Sequence, residues 1–444
     1  MSERPFKPGE IEIEKFVITN YTRSKVNSTS LTQICNEFSY YESIFAPTIA
    51  ADFLITDAVG MLNDLPVIGD EDIELSFRDK LNSNVIDVNL RSYKIGSRVR
   101  SSERSVIYPI MCASERGVLD SKTQVESISK GRISDYINRT FKGFIEVEPT
   151  QGEYRYVPTG ETFFETMKIL SREAQSQNNP SSTYLFYETS DGYHFVTLEF
   201  LFTKPTIKEY FYNLSNASRR SDRFSDDQVI SKLEFTNGNN LIENMRKGLY
   251  GNSTYAIDPL RKSISQRTYD YFGDGFLKTK HLPNVPSRIQ SNIKGITGGS
   301  SFAQNSQSAN EKYFISDLND VANIEYIKEY DPETNIYGRR RHLFSNLETS
   351  LFAQSTAFKT TISIPGDSSR HAGDVIEIYM PEISQQESVL YQYDKYLSGR
   401  FLVTSVRHLL QVNGEYVTVM ECIKDSLEEY LKSTLGDLPE QYFD

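Results

Sequence analysis

Alternation of apolar and polar positions dominates this chain. Residues 9–20 read GEIEIEKFVITN, and Ile11 and Ile13 alternate with Glu10, Glu12 and Glu14. A period of two puts successive side chains on opposite faces, so the run predicts a strand with one apolar and one wet face. The same pattern returns after Gly69-Asp70-Glu71, where Ile73, Leu75 and Phe77 alternate with Asp72, Glu74, Ser76 and Arg78. Val85 to Tyr93 continues it, and shorter β-like runs surround Ile34–Phe38 and Phe53–Thr56. Together they predict a β-domain over residues 1–118. Near the other end, two apolar runs flank Asn413-Gly414: Phe401, Val403, Leu409 and Val412 before it, Tyr416, Val417, Val419 and Met420 after it. Both turn residues tolerate positive φ, so this stretch predicts a two-residue type I′ hairpin. It reads as the closing hairpin of a second β-domain, a scaffold without a catalytic constellation.

Between these regions the period changes. Ile133, Tyr136, Ile137 and Phe141 fall at helical spacing, as do Phe163, Met167, Leu170 and Ala174, with Pro158-Thr159 as a start signal. Tyr184 to Glu188 and Tyr193 to Leu198 then flank Ser190-Asp191-Gly192, a second hairpin signal. Residues 119–205 are therefore a small α+β domain. Residues 252–345 read as an insertion, and Asn284 to Asn310 within it is rich in Ser, Asn, Gln and Gly, which predicts a loop. From Ser355 the β pattern resumes. Gly373 to Met380 echoes Gly69 to Phe77, with Gly-Asp, a spacer, Ile-Glu, then Leu or Ile. The echo suggests that one β-module occurs twice, the second copy split between 206–251 and 346–444. The expected fold class is mainly β with α+β insertions: two β-barrel modules plus smaller intervening domains.

Composition narrows the function. At 444 residues the chain exceeds what one core serves. It has 28 Tyr, 26 Phe and no Trp, a mix suited to several small β-cores and Tyr-rich interfaces. A net charge of −12 disfavours nucleic-acid binding, which needs clustered Lys and Arg. It suits a passage that nucleic acid traverses without sticking, or simply a solvated surface. Cys35, Cys112 and Cys422 are far apart and odd in number, neither a disulfide framework nor a zinc spacing, which fits a reducing compartment. The first residues carry no apolar signal segment and no run approaches about 18 apolar residues, so we expect synthesis in a cytosol and no membrane span.

Chemistry is sparse. There is no GxGxxG, GxxxxGK[ST], HExxH, GxSxG or CxxC pair. His194, His281, His342, His371 and His408 are scattered, without metal-ligand spacing. Glu188 and Asp191, beside the second hairpin, are the nominees for a carboxylate pair, with turn and edge polarity as the plainer reading. Arg339-Arg340-Arg341-His342 reads as a solvated face or a rim contact to an acidic partner, or as a nucleic-acid site. Cys422 reads as a small buried apolar group. No catalytic, cofactor-binding or metal residue is assigned.

The order of parts resembles the central hub proteins of contractile-tail phage baseplates, as in the T-even phages. The carrying stretches are Phe38-Ser-Tyr-Tyr-Glu-Ser-Ile-Phe45, Ile68 to Glu71, Tyr187 to Phe195, Leu397 to Thr404 with Arg407-His408, and Cys422 to Ser426. The resemblance implies two tube-type β-barrel modules per chain and a homotrimer whose six modules imitate a six-fold tube ring. Such a ring adapts the tail tube to a central spike and encloses the DNA channel, without enzymatic activity or cofactor. It implies a virion protein of the tail baseplate, assembled in the host cytoplasm, in contact with other baseplate proteins. The chain stops at Asp444, soon after the closing hairpin, which implies a spike on a separate chain. Glu10, Glu12 and Glu14, or Asp72 and Glu74, would face the lumen or the outside. Two other readings remain open: a cell-wall or polysaccharide-degrading tail enzyme, and a peripheral tail connector or receptor-binding protein.

Overall fold

The structure is a computed structural model. It describes residues 7–428 apart from 22–25, 59, 62–66, 82–83, 126–128, 153, 213–224, 238–240, 260–261, 284–285, 288–310, 316–340, 356–357, 382–392, 395–396 and 412–413. The protein is mainly β with α+β insertions. The N-terminal alternating runs form β1 (Ile11–Tyr21), β2 (Val26–Ser30), β3 (Cys35–Ser43), β4 (Ala50–Asp57), β5 (Asp72–Asp79), β6 (Ile86–Ile95), the short β7 (Val99–Arg100) and β8 (Val106–Ser114). A smaller unit follows, with strands β9 (Ser129–Gly131), β10 (Ile145–Val147), β11 (Tyr154–Tyr156), β12 (Tyr184–Thr189) and β13 (Gly192–Thr197). Its helices are α1 (Glu115–Asp120), α2 (Ile133–Thr140), α3 (Phe163–Glu173) and α4 (Leu198–Phe202). Next come β14 (Thr206–Tyr212), β15 (Val229–Ile230), β16 (Lys232–Asn237) and α5 (Leu241–Arg246). An inserted unit holds β17 (Gly251–Asp258), β18 (Ser263–Asp270), β19 (Pro286–Ser287), β20 (Glu311–Ile315) and α6 (Arg341–Ser355). Then β21 (Lys359–Pro365), β22 (Val375–Tyr379), β23 (Gly399–Leu410), β24 (Tyr416–Ile423) and β25 (Leu427–Glu428) complete the described chain.

Two sets of six strands share one neighbour order. In the first, β1–β5–β6–β8–β4–β3 lie side by side; in the second, β14–β22–β23–β24–β21–β16 do. Numbered by appearance within each set, both orders are 1-4-5-6-3-2. The sequence echo falls on the fourth strand of each. Gly69 precedes β5 with φ +100°, and Gly373 precedes β22 with φ +93°. Only glycine takes that backbone readily, so the chain turns into both strands in the same way.

The first strand is where the sets differ. β1 is antiparallel to β5 and folds back on itself through β2. β14 runs parallel to both β22 and β15. Because β15 leads straight into β16, and Ser231 N–H between them donates to Ser363 O on β21 at 2.8 Å, the second set closes into a ring. β2 instead ends the path of the large sheet.

Each set encloses its own core. The first gathers Phe16, Phe38, Phe53 and Phe77 with Ile18, Ile73 and Leu75; Phe16 and Phe53 have ring centroids 4.9 Å apart. The second gathers Ile362, Ile364, Ile376, Ile378, Phe401, Val403 and Met420. β23 joins them. One of its edges pairs with β22 over Gly399–Leu402 and then with β3 over Ser405–Leu410, while its other edge holds β24. Leu410 and Tyr416 at the far end of the hairpin enter the first core. The hairpin thus belongs to both sets rather than closing one domain. Its loop also differs from expectation. Leu410 pairs with Tyr416, so five residues, 411–415, turn the chain where two were predicted. Gly414 keeps the positive φ, +82°, while Val412 and Asn413 lie outside the described residues.

The α+β unit follows the helical spacing closely. α2 buries Ile133, Tyr136 and Ile137, and α3 buries Met167 and Leu170, against Tyr184 and Phe195 of the β12–β13 hairpin. α3 starts later than Pro158-Thr159 suggests. Thr162 Oγ1 accepts from Glu165 N–H at 3.3 Å and Glu165 returns a carboxylate to Thr162 N–H at 2.9 Å, a reciprocal cap that fixes the first turn. The second hairpin is present, with Ser190-Asp191 as its loop. Gly192, at φ +137°, already pairs with Thr189.

Candidate functional site: the buried junction of the strand sets

One loop, residues 366–374 (GDSSRHAGD), links β21 to β22 and lies where three units meet. Two glycines let it fit. A Cβ on Gly366 would stand 2.0 Å from the Tyr416 ring, and one on Gly373 would stand 2.5 Å from the Tyr187 hydroxyl. Its polar groups reach outward. Asp367 accepts from Lys208 Nζ of β14 at 2.9 Å, and its own N–H donates to Thr418 Oγ1 of β24 at 2.9 Å. Ser368 crosses to the first set. Its N–H donates to Asp79 Oδ2 at 3.0 Å and its hydroxyl to Asn84 O at 2.7 Å.

Glu42, on β3, is the centre of the junction. Its side chain is 0% exposed. It accepts from Tyr40 Oη at 2.8 Å, Ser190 N–H at 2.9 Å, Ala372 N–H at 3.0 Å and His371 Nδ1 at 3.3 Å. Those donors come from the first set, the α+β hairpin and the loop before β22. Burial alone would raise this carboxyl; the His371 charge and the amide donors overcome it and bring it down to about 2. For His371 burial works against the charge, and Glu42 outweighs it, lifting the imidazole to about 9. The two therefore form a charged pair through the neutral range.

His408, on β23 beside this pair, stays neutral. Burial is the main cause and holds it down to about 4. Nε2 lies 3.2 Å from the Arg370 carbonyl, which can only accept, so Nε2 carries the proton. Nδ1 then accepts from the Tyr416 hydroxyl at 2.7 Å. The arrangement uses every hydrogen-bonding atom of Glu42 and His408 on protein partners. At these two residues the junction is a buried weld, hydrogen-bonded donor to acceptor.

The residues nominated from sequence do not converge. Glu188 is buried, is raised by that burial, and accepts from Ile49 N–H at 3.1 Å. Asp191 is exposed, and its nearest named partner is His371 Nε2 at 3.9 Å. They serve different neighbours. His194 is held by Glu146 at 2.9 Å and Thr189 at 3.0 Å, and His281 by Asp425 at 2.6 Å. Cys422 is fully buried in the second core. Arg341 and His342 begin α6, while Arg339, Arg340 and nearly all of 284–310 lie outside the described residues.

The acidic strand faces are also not bare. Arg78 pairs with Glu12 at 2.9 Å and Glu14 at 3.3 Å, Lys80 with Glu10 at 3.6 Å, and Lys15 with Glu74. Arg91 lies 3.8 Å from Asp72. The charges sit in a mixed ladder across β1, β5 and β6. Glu42 and the 366–374 loop were missed from sequence because their partners lie 148 and 330 positions away for Glu42 alone. The Gly-flanked, Asp- and Ser-rich composition of the loop was its only local signal.

No family model and no curated protein matches the chain. Among solved structures it is similar to the tail protein from Neisseria meningitidis MC58, at 10% identity and a TM-score of 0.50, over 93% of this chain and 97% of that one. The 43 kDa tail protein of prophage MuSo2 from Shewanella oneidensis shows 9% identity and a TM-score of 0.49, over 93% and 99%. A prophage tail protein from Listeria monocytogenes EGD-e shows 8% identity and a TM-score of 0.43, over 95% and 98%. The first of these likenesses establishes a common fold over almost the whole chain. No helix among the described residues is long and apolar enough to cross a membrane.

Proposed function

We propose that this chain is a structural component of a phage tail, and specifically the hub of a contractile-tail baseplate. The observation that carries the proposal is the repeated six-strand order. Three chains, each with two like modules, make a ring of six quasi-equivalent positions with three-fold symmetry. One side of such a ring matches a six-fold tail tube, and the other a three-fold spike. The fold shared with the Neisseria tail protein supports the tail setting. In this reading the first tube-type module is residues 1–118, the α+β domain 119–205, the second module 206–251 with 346–444, and the insertion 252–345. The partners are two further copies, a tube ring, a central spike and neighbouring baseplate proteins. DNA passes through the lumen without specific binding, and the protein resides in the virion after assembly in the host cytoplasm.

The buried weld suits that task. A ring that must keep two modules at a fixed angle gains from a junction centred on a buried Glu42 carboxylate that takes donors from three parts of the chain. Analytical ultracentrifugation with the tube and spike partners present tests the proposal. The expected species contains three copies of this chain; a strict monomer in the same mixture would refute it.

A further inference from the structure

Away from the weld, a second set of buried polar groups ties the insertion to the rest of the chain. Residues 276–282, between β18 and β19, meet α4 and the residues just beyond β24. His281 carries the tie, with its side chain 4% exposed. Its Nδ1 lies 2.6 Å from Asp425 Oδ2, and its Nε2 lies 2.8 Å from the Phe276 carbonyl. A carboxylate and a carbonyl only accept, so both ring nitrogens carry protons and the ring is an imidazolium. Asp425 also accepts from Leu282 N–H at 3.2 Å, and its carbonyl accepts from Gln354 Nε2 of α6 at 2.9 Å. Glu199, on α4, is fully buried. One of its oxygens accepts from Lys280 N–H at 2.9 Å; the other, also buried, has no hydrogen-bond partner among the described residues. The Ser181 hydroxyl beside it is engaged with Thr183 Oγ1 at 2.7 Å. An ionised carboxyl would leave that second oxygen unmatched, while a neutral one hides no charge. Burial accordingly raises Glu199 to about 7, against the pull of the Lys280 amide. For His281 burial opposes the charge, and Asp425 overcomes it and raises the ring.

We propose that His281 and Glu199 form a proton-operated latch that fastens the insertion to the α+β unit and to the end of β24. The latch is closed when both groups hold their protons. Glu148 and Glu199 face it from the α+β unit, His281 from the insertion, and Asp425 from beyond β24. Glu148 accepts from Thr197 N–H at 2.8 Å, Thr197 Oγ1 at 2.7 Å, Ser176 Oγ at 2.5 Å and Asn179 Nδ2 at 3.3 Å. With Glu199 neutral, the carboxylates of Glu148 and Asp425 stand against the His281 charge, a balance of one negative. Ionising Glu199 makes the balance two negative, and discharging His281 makes it three. Unbalanced charge in a buried site is costly, so each step loosens the contact. The sign is the same for both groups. Glu199 is raised from 4.5 to about 7, so its contribution is complete below about 4.5 and is lost as pH rises through about 7. His281 is raised from 6.5, so its contribution is complete below 6.5 and is lost as pH rises through the raised value. A neutral imidazole also donates only once, so discharge strips His281 of one of its two hydrogen bonds. The amides of Lys280 and Leu282, which end on Glu199 and Asp425, open with the latch. All of these groups belong to one chain, so the latch works with or without a ring of copies.

The test is amide hydrogen exchange on the full-length chain at pH 5 and pH 8, corrected for intrinsic rates and read by mass spectrometry on peptides covering 276–282 and β5. The first variant is Glu199→Gln, which keeps the shape and the acceptor for Lys280 N–H and cannot ionise. Moving a carboxyl from 4.5 to about 7 biases closure by up to about 300-fold. Protection of 276–282 in the variant, relative to the unaltered chain, should therefore grow at least about ten-fold from pH 5 to pH 8. The β5 peptide should show no such growth. Adding His281→Gln to Glu199→Gln should then remove whatever pH dependence remains in 276–282 beyond that of β5. A ratio that stays flat with pH, growth of equal size in β5, or pH dependence that survives in the double variant would overturn the proposal. Where the double variant does not fold, the Glu199→Gln comparison decides by itself.

Discussion

The two strand sets repeat one order and finish differently. The second closes on itself because β14 lies parallel to β22 and hands over to β15, which leads into β16 and β21. The first ends in the β1–β2 hairpin and borrows closure from elsewhere: Tyr416 N–H, from β24 of the second set, donates to Gly9 O just before β1 at 3.2 Å. One module is self-sufficient, the other leans on its sister. The dependence explains why the polar weld sits between them, and why a single loop, 366–374, supplies so many of its contacts.

That asymmetry can be broken at graded cost. Glu42→Gln removes the counter-charge of a buried imidazolium, and stability to urea should fall by about 3–5 kcal/mol. The loss should fall chiefly on the first set, read by faster amide exchange in β1 and β3 than in β22 and β24. Equal loosening of both sets would contradict the leaning relation. A pH profile follows from the same pair. His371 is raised from its ordinary 6.5 to about 9, so its contribution is complete below 6.5 and is lost as pH rises through about 9. Alkaline titration should cost roughly 3 kcal/mol over that window, and His371→Gln should flatten it. Glu42 is depressed from its ordinary 4.5 to about 2, so its share is complete above about 4.5 and is lost as pH falls from there through about 2. Gly366→Ala would push a methyl into the Tyr416 ring, and we expect a loss of roughly 1–3 kcal/mol, with the Tyr416 ring displaced from the first core. The smallest effect belongs to the outer ladder. Arg78→Ala, at an exposed pair, should change stability by less than about 1 kcal/mol and lose even that at high salt.

How much of this was legible in the sequence varies with range. Period-two runs gave β1, β5 and β6 because the buried faces, Ile73, Leu75 and Phe77 for example, are set by local alternation. Helical spacing located α2 and α3 for the same reason, and only the cap of α3 was displaced, from Thr159 to Thr162, because Thr162 and Glu165 make the better reciprocal pair. The echo of Gly69 in Gly373 pointed at corresponding strands, since both glycines occupy left-handed backbone that other residues resist. The direction of β14 was not legible, because parallel pairing depends on a connection through residues far along the chain. Nor was Glu42: one acidic residue within Phe38–Phe45 reads as an edge charge until Ser190, His371 and Ala372 are brought around it. The five-residue hairpin loop was mistaken for two because Asn-Gly is a strong local signal, and the register of Leu410 with Tyr416 overrode it.

The duplication is tested most directly by an electron-microscopy density map of the assembled tail, viewed along its axis at the level of this protein. Three chains should supply six barrel densities at nearly equal angles, alternating between the self-closed form and the form bearing the β1–β2 hairpin. Six chains at that level, or barrels of only one form around the axis, would contradict it.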